Sequence, residues 1–193
     1  MYTKFLYSKC KSGFHEKNIY PIVALIIIAA SAFTFIKSEN WKISEDYSIK
    51  FSGNNATGIF KGLKGIVNFD NDSLASSKFD VTVDVSTINT GNGMKNTHAK
   101  SENWFDAAKY PTISFTSTTI IKTASGYETK GNLTIHGVTK EFVIPFTFKS
   151  TANGGVFVSS FDVNRLDFNM KTPEPDLGAA TILRVDLNIP VRK

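Results

Sequence analysis

The stretch Phe79-Asp80-Val81-Thr82-Val83-Asp84-Val85 alternates apolar and polar side chains at every position. Successive side chains of a β-strand point to opposite faces, so this alternation predicts a strand with one dry face and one wet face. An amphipathic helix would instead repeat its apolar positions about every 3.6 residues. Sheets with one solvated face are typically antiparallel. The stretch therefore predicts a strand of an antiparallel β-protein.

The same alternation recurs along the chain after Trp41 and predicts about eight strands in all. Besides the first stretch, the predicted strands are 41–51, with a break near Glu45-Asp46, and 58–70, 113–121, 126–135, 142–148, 156–163 and 183–191. Turn-forming pairs such as Asn71-Asp72 and His136-Gly137 separate them. Such strands can close into a barrel or stack as a sandwich, and closure removes the edge strands that otherwise aggregate. A barrel of this size has room inside for packed side chains or for a slim ligand.

One segment lacks this alternation and interrupts the series of strands. Residues 96–109 carry Trp104 and Phe105, and Pro111 follows them. Proline is typical of the end of a helix, so we expect a short helix here, before the strand at 113–121. No long helical stripe appears elsewhere in the sequence after Trp41.

The N-terminal segment has the features of an export signal. Four lysines precede an apolar run at residues 19–36, and Ala30-Ser31-Ala32 fits the pattern that signal peptidase cuts after. We interpret residues 1–32 as a signal peptide or an N-terminal membrane anchor, 33–40 as a linker and 41–193 as the barrel domain. Positive charge stays on the cytoplasmic side of a membrane, so both alternatives make the domain periplasmic or secreted. An uncleaved segment 19–36 would tether it to the inner membrane.

Charge and residue usage exclude several classes of function. The net charge is +5, of which four lysines and one glutamate in residues 1–32 account for +3, leaving +2 for the scattered charges of the remainder. Such a balance does not form the basic stripe of a nucleic-acid-binding protein. The single cysteine, Cys10, lies in the predicted leader, so no disulfide or cysteine-metal site is expected in the domain. His98 and His136 are the only histidines after the leader, and no metal-ligand spacing accompanies them.

Three longer strings stand in a fixed order along the chain. They read Asp84-Val85-Ser86-Thr87-Ile88-Asn89-Thr90-Gly91, then Lys95-Asn96-Thr97-His98-Ala99-Lys100-Ser101 with Trp104-Phe105-Asp106 and Lys109-Tyr110-Pro111-Thr112-Ile113-Ser114-Phe115, then Gly131-Asn132-Leu133-Thr134-Ile135-His136-Gly137-Val138-Thr139-Lys140. In order and spacing they resemble the YceI-like family of exported, lipocalin-like barrels, over about residues 41–192. Asp46-Tyr47-Ser48 stands where family members usually carry a histidine-serine pair, and Ala99 stands where leucine is usual.

The resemblance implies an all-β fold, an eight-stranded antiparallel lipocalin-like barrel with a short capping helix. It also implies that the barrel binds a polyisoprenoid or a similar amphiphile, such as an isoprenoid quinone, in an internal apolar channel, without any other cofactor. Some members of the family form dimers, so a homodimer is one expected assembly. The implied role is binding, sequestration or transport of this lipid in the bacterial envelope.

Candidate ligand-binding residues follow from the apolar strand faces and from the family-like strings. The side chains that we expect to line a channel, or else to fill an ordinary packed core, are Phe51, Phe79, Val81, Val83, Phe115, Phe146, Phe148 and Phe161. His98, Trp104 and Phe105 belong to the string that resembles the helical segment of the family. His98 is expected either to touch a ligand head group at the barrel mouth or to hold its loop by hydrogen bonds to backbone.

Two other kinds of function are alternatives to lipid binding. A barrel packed solid could act as a structural or stress-protective protein through its surface. An enzyme could act on a small apolar substrate with His98 as acid and base. The chain has no P-loop, nucleophile-elbow, metalloprotease or dinucleotide motif and no converging set of catalytic groups. We therefore predict a binding protein with no catalytic residue and no metal site.

Overall fold

The alternating segments form strands in the computed structural model, which describes residues 40–170 and 181–193. The predicted leader, and all of the predicted linker except Asn40, lie outside the described residues. The strand segments are β1 (Asn40–Ile43), β2 (Ser48–Gly53), β3 (Ala56–Phe60), β4 (Lys64–Asn68), β5 (Lys78–Asp84), β6 (Thr112–Thr123), β7 (Gly126–Ile135), β8 (Val138–Thr151), β9 (Gly154–Asn164) and β10 (Ile182–Arg192). The helical elements of the described part are α1 (Gly93–Ala99) and 3-10 helices at Leu74–Ser76, Val85–Thr87 and Arg165–Phe168.

The ten segments make eight barrel strands, because two strands are each interrupted once. β1 and β2 are one strand broken at Glu45-Asp46, as predicted, and both pair with β10. β3 and β4 form the next strand, broken at 61–63, where Gly62 has a φ of +71°. β2 pairs with β3, β1 pairs with β4, and the antiparallel order continues from β4 through β5 to β10. The pairing of Ile43 with Val191 closes the ring, which confirms the predicted eight-stranded antiparallel barrel.

Tyr47 lies at the break between β1 and β2 and forms hydrogen bonds to the break between β3 and β4. Its hydroxyl accepts a hydrogen bond from the Leu63 N–H at 2.9 Å, and its backbone carbonyl accepts one from the Lys61 Nζ at 3.2 Å. Backbone groups that leave a sheet need other partners, and this buried tyrosine supplies them. Tyr47 is therefore built into the barrel wall.

The connections alternate between the two ends of the barrel. We name the end that carries α1, the β7–β8 turn and the 3-10 helix Arg165–Phe168 the upper end, and the end that carries the β4–β5, β6–β7 and β8–β9 connections the lower end. In the β7–β8 turn, His136 and Gly137 have φ values of +51° and +73°. Two consecutive residues with positive φ are typical of a two-residue hairpin turn, as predicted for this pair.

The predicted short helix is confirmed, but it is Gly93–Ala99 and only its last residues overlap the predicted segment 96–109. The helix α1 begins earlier because the Asn92 side chain accepts a hydrogen bond, at 3.1 Å, from the backbone N–H three residues on. It ends earlier because the Phe105 N–H donates to a carbonyl six residues back, at the end of α1, whereas a helix uses a spacing of four. Trp104 and Phe105 therefore lie in the turns that follow α1.

Gly65 in β4 is expected to tolerate no side chain. Its φ is +129°, and a Cβ added there would lie 2.1 Å from the Asp80 carbonyl oxygen of the paired strand β5. The substitution Gly65→Ala is therefore expected to lower the free energy of unfolding by about 2 kcal/mol or more, measured by urea denaturation. Gly93 at the start of α1 is the matched control, because nothing lies within 4 Å of an added Cβ there. Equal losses in the two alanine variants would contradict this account.

Candidate ligand-binding cavity

The interior of the barrel contains an apolar cavity of about 230 Å³. Its wall is formed by inward-facing side chains of the sheet, and the polar residues of the wall are Ser114, Thr129 and Ser159. None of the described residues that line it carries a charge. Water enters a buried cavity only where several polar groups can bind it, so a wall of this composition favours a dry interior. The cavity is therefore suited to an uncharged, largely apolar molecule.

Seven of the eleven residues predicted from the sequence line this cavity. They are Phe51, Phe79, Val81, Val83, Phe115, Phe146 and Phe161. Each occupies an inward position of its strand, because side chains two residues apart share a face. The structure brings these seven side chains together around one space, from the lower half of the barrel to the upper end of β5.

Other lining residues were not singled out by the sequence interpretation, although they occupy the same alternating faces. Phe157 on β9 and Val185 and Leu187 on β10 point into the cavity beside the predicted set. They stand on the apolar face of predicted strands, at every second position, so the alternation in the sequence could have identified them. The hydroxyl residues Thr129 and Ser159 also occupy inward positions. A hydroxyl residue on an apolar face has no distinguishing pattern in the sequence.

Four phenylalanine rings close the lower end of the cavity, and we name them the aromatic floor. They are Phe69, Phe79, Phe146 and Phe157, and every pair of these rings has centroids 5.4–6.2 Å apart. Phe79, Phe146 and Phe157 line the cavity, whereas Phe69 does not and is only 1% exposed. Phe69 therefore lies beneath the other three. The rings fill the lower end of the barrel and leave the cavity above them.

Phe69 reaches the aromatic floor from the connection between β4 and β5, not from a strand. Its backbone carbonyl accepts a hydrogen bond from the indole Nε1–H of the buried Trp41 at 2.8 Å. Phe148 was expected to line the channel, and this expectation is corrected. It does not line the cavity, because its ring packs below, with centroid distances of 5.1 Å to Phe69 and 5.4 Å to Trp41. Phe148 therefore supports the aromatic floor from outside the cavity.

The three predicted residues of the helical segment, His98, Trp104 and Phe105, lie at the upper end and do not line the cavity. The Nε2 of His98 accepts a hydrogen bond from the Nε1–H of Trp104 at 2.8 Å. The Trp104 ring in turn lies 5.1 Å from the guanidinium of Arg165, a side chain that is 1% exposed. Phe105 packs on the lining residue Phe60, with ring centroids 5.6 Å apart. His98 thus bonds to another side chain of the upper loops, whereas contact with a ligand head group or a hydrogen bond to backbone was expected.

Charged groups of the described residues lie outside the cavity wall. Hydrogen bonds from the side chain and the backbone N–H of Ser86 lower the pKa of Asp84, and a hydrogen bond with Tyr110 raises the pKa of Lys109. In residues 40–170 and 181–193, no group of histidine, cysteine, aspartate and glutamate side chains is placed to hold a metal ion. Across the same residues, no helix combines the length and apolarity needed to cross a bilayer. The described wall therefore offers almost only apolar contact.

A closed up-and-down barrel with an apolar cavity above a sealed floor is the architecture of the small barrels that hold slim ligands. The sequence match agrees with this class. The chain belongs to the YceI-like domain family, whose model matches residues 30–192. This match confirms the family to which the three sequence strings pointed.

Individual relatives and solved structures share this family and fold. UPF0312 protein YE1254 of Yersinia enterocolitica is 33% identical over 134 residues, which cover 64% of this chain and 66% of that protein. The crystal structure of BcnA from Burkholderia cenocepacia matches with a TM-score of 0.71 at 24% identity, over 79% of this chain and 100% of that chain. A polyisoprenoid binding domain from Saccharophagus degradans matches with a TM-score of 0.56 at 14% identity, over 79% and 97%. At these identities the two structures establish the shared fold.

Proposed function

We propose that this protein binds a slim, uncharged lipid chain of isoprenoid type inside its barrel. The observation that supports the proposal is the apolar cavity of about 230 Å³, whose described wall carries no charge. A cavity of that volume left empty costs about 5 kcal/mol, at ~24 cal/mol per Å³, which is comparable to the whole stability of a small domain. A bound apolar chain would offset this cost by filling the space.

The chemistry of the wall favours a branched hydrocarbon chain. Both aromatic rings and branched aliphatic side chains line the cavity and can pack against methyl branches. Each Å² of apolar surface removed from water contributes about 25 cal/mol, so a chain that fills the cavity gains substantial affinity. The Saccharophagus degradans domain of the same fold is named for polyisoprenoid binding, which makes this ligand class the first to test.

We further propose that the protein carries or sequesters its lipid in the bacterial envelope. The predicted export segment at residues 1–32 supports this location. The cavity favours a binding protein over the two alternatives, a surface-acting structural protein and an enzyme, because neither of these needs an empty apolar interior. The homodimer and the lack of a nucleic-acid partner or cofactor stay predictions.

Lipid that co-purifies with the protein provides the test. The full chain is purified from bacterial envelopes under native conditions, extracted with organic solvent and analysed by mass spectrometry. We expect an isoprenoid-type lipid in near-stoichiometric amount. The delipidated protein should gain thermal stability as farnesol, geranylgeraniol or octaprenol is added, because a ligand of the native state stabilises it in proportion to the logarithm of its concentration. No recovered lipid, together with an unchanged melting temperature, would refute the proposal.

A further inference from the structure

The barrel wall has a seam between the upper halves of β8 and β9. The backbone ladder that joins these two strands rises from the lower end to the pair of Thr147 with Val158 and stops there. Both strands continue toward the upper end, β8 through residues 138–146 and β9 through residues 159–164, without a further ladder pair between them. Over these lengths β8 stays paired with β7, and β9 stays paired with β10. We name this unpaired line the β8–β9 seam.

Pro145 explains where the ladder stops. The Ser159 Oγ donates to the Pro145 carbonyl at 2.5 Å, so this carbonyl faces β9. The N–H and C=O of one strand residue point to the same neighbouring strand, so the next ladder bond above Thr147 would need an N–H at position 145. Proline has no N–H, and it occurs in sheets where no ladder bond is made. The sequence itself therefore begins the seam at this position.

The other side-chain contacts across the seam are weak. The rings of Phe142 and Phe161 meet edge to face, with centroids 5.7 Å apart. Nearer the upper end, the Lys140 Nζ lies 3.8 Å from an Asp167 carboxylate oxygen, and both side chains are about half exposed. An exposed ion pair contributes little to stability. Regions with few strong interactions open first, so the upper parts of β8 and β9 are expected to separate more readily than the paired parts below.

The seam leads from the outer surface to the cavity along apolar side chains. Ile144 of β8 and Phe161 of β9 line the cavity on the two sides of the seam. On the outer face of the same two strands, Val143 and Val158 are 47% and 45% exposed. A hydrocarbon chain that passes between the strands therefore meets apolar surface on the way in.

The loops over the upper end offer a less favourable route along the barrel axis. Val85 and Phe168 in these loops are each 1% exposed, and Ile88 and Phe105 are also buried. Close-packed side chains resist displacement, so an axial route would have to break this packing. Separation at the seam breaks no ladder pair between β8 and β9.

We propose that the lipid enters and leaves the cavity at the upper end through the β8–β9 seam, while the ladder from Thr147 downward stays intact. The proposal rests on the proposed function and adds the route by which the ligand exchanges. The moving parts are residues 138–146 of β8 and 159–164 of β9, beside the 3-10 helix Arg165–Phe168.

Amide hydrogen exchange of the wild-type full chain, resolved by residue, tests whether the seam opens. Alternate residues of a strand direct their N–H groups to the same neighbour, so Val143 and Thr147 both direct theirs toward β9. Val143 lies in the seam, and Thr147 lies in the ladder. After correction for intrinsic rates, we expect the Val143 amide to exchange at least tenfold faster than the Thr147 amide. Equal protection of the two amides would overturn the proposal.

Transfer of a lipid out of the barrel tests whether the seam is the route. Full chain loaded with tritiated geranylgeraniol is mixed with excess phosphatidylcholine vesicles, and the rate of transfer is measured. Pro145→Thr supplies the missing N–H and is expected to slow transfer about fivefold, the factor of one hydrogen bond. Ser159→Ala removes the hydrogen bond across the seam and is expected to speed transfer about threefold. Pro190→Thr is the matched control at wild-type rate, because Pro190 lies in the intact ladder opposite Val156.

Equilibrium affinity and the control variant separate the possible outcomes. A route changes entry and exit alike, so the affinity of the Pro145 variant for geranylgeraniol, measured by calorimetric titration, should equal that of the wild type. Unchanged transfer in both seam variants, or equal slowing by Pro145→Thr and Pro190→Thr, would overturn the seam as the route while lipid binding stands. If the wild-type protein takes up no geranylgeraniol, the proposed function fails, whatever amide exchange shows of the seam.

Discussion

Replacing Phe69 with alanine is expected to lower the free energy of unfolding by about 3–5 kcal/mol, the range for deleting a fully buried ring. The side chain is almost completely buried, and besides the other rings of the aromatic floor it packs against Tyr127 and Phe148. A closed ladder of strands cannot contract into the vacated space without breaking backbone hydrogen bonds. The deleted ring therefore leaves a new cavity, and guanidinium denaturation followed by circular dichroism measures its cost.

Phe142 provides the matched control for this prediction. It is half-buried, lies outside the aromatic floor and makes a ring contact with Phe161, at a centroid distance of 5.7 Å. We expect Phe142→Ala to cost less than half as much as Phe69→Ala, because it leaves less buried volume empty. A loss below about 1 kcal/mol in the Phe69 variant, within the range of ordinary substitutions, would mean that the floor is not packed as described.

Filling the cavity is expected to abolish lipid binding. Val83 and Val185 both line the cavity, and the double substitution Val83→Phe/Val185→Phe places two rings in the space of the ligand. We expect the affinity for geranylgeraniol to fall about a hundredfold or more, which corresponds to roughly 3 kcal/mol of lost apolar burial. Calorimetric titration measures this loss. The variant should still fold, since the added rings occupy existing space and need not displace their neighbours.

The matched control places the same substitutions on the outside of the barrel. Val143 and Val158 are 47% and 45% exposed on the outer face, so Val143→Phe/Val158→Phe should bind the lipid as the wild type does. Lipid that still co-purifies with the filled barrel would place the binding site elsewhere on the protein. Loss of binding in both double variants would point to a general defect of the fold.

The strands and their faces could be predicted because a half-buried strand needs an apolar side chain at every second position. The opening stretch 79–85 corresponds to β5, and the difference is at its end. Val85 leaves the strand for a 3-10 helix, and its N–H donates to the carbonyl of Pro111, immediately before β6. That bond joins positions far apart in sequence, so the alternation alone could not place the strand end.

The height of a side chain along the barrel axis could not be predicted in the same way. Phe146 and Phe148 follow one another on the inner face of β8, yet Phe146 lines the cavity and Phe148 does not. The difference comes from Phe69, which enters the barrel from a connection and lies beneath Phe146, so that Phe148 packs on the side of Phe69 away from the cavity. A period of two specifies the face of a strand and contains no information about such a neighbour.

Local side-chain hydrogen bonds account for the other differences. Asn92 caps α1 and moves the helix toward the N-terminus of the predicted segment. The bond between His98 and Trp104 joins two residues that the sequence had placed on one helix.

The sealed lower end makes the barrel a blind tube. A ligand in the cavity would enter and leave by the same end of the barrel. Its whole inserted chain would have to be withdrawn before release is complete. Each methylene group held inside adds about 0.8 kcal/mol to the work of withdrawal, so the residence time should rise steeply with the length of the inserted chain. For the proposed lipid carrier, release from the upper end would pass the loops around α1 and the 3-10 helix Arg165–Phe168.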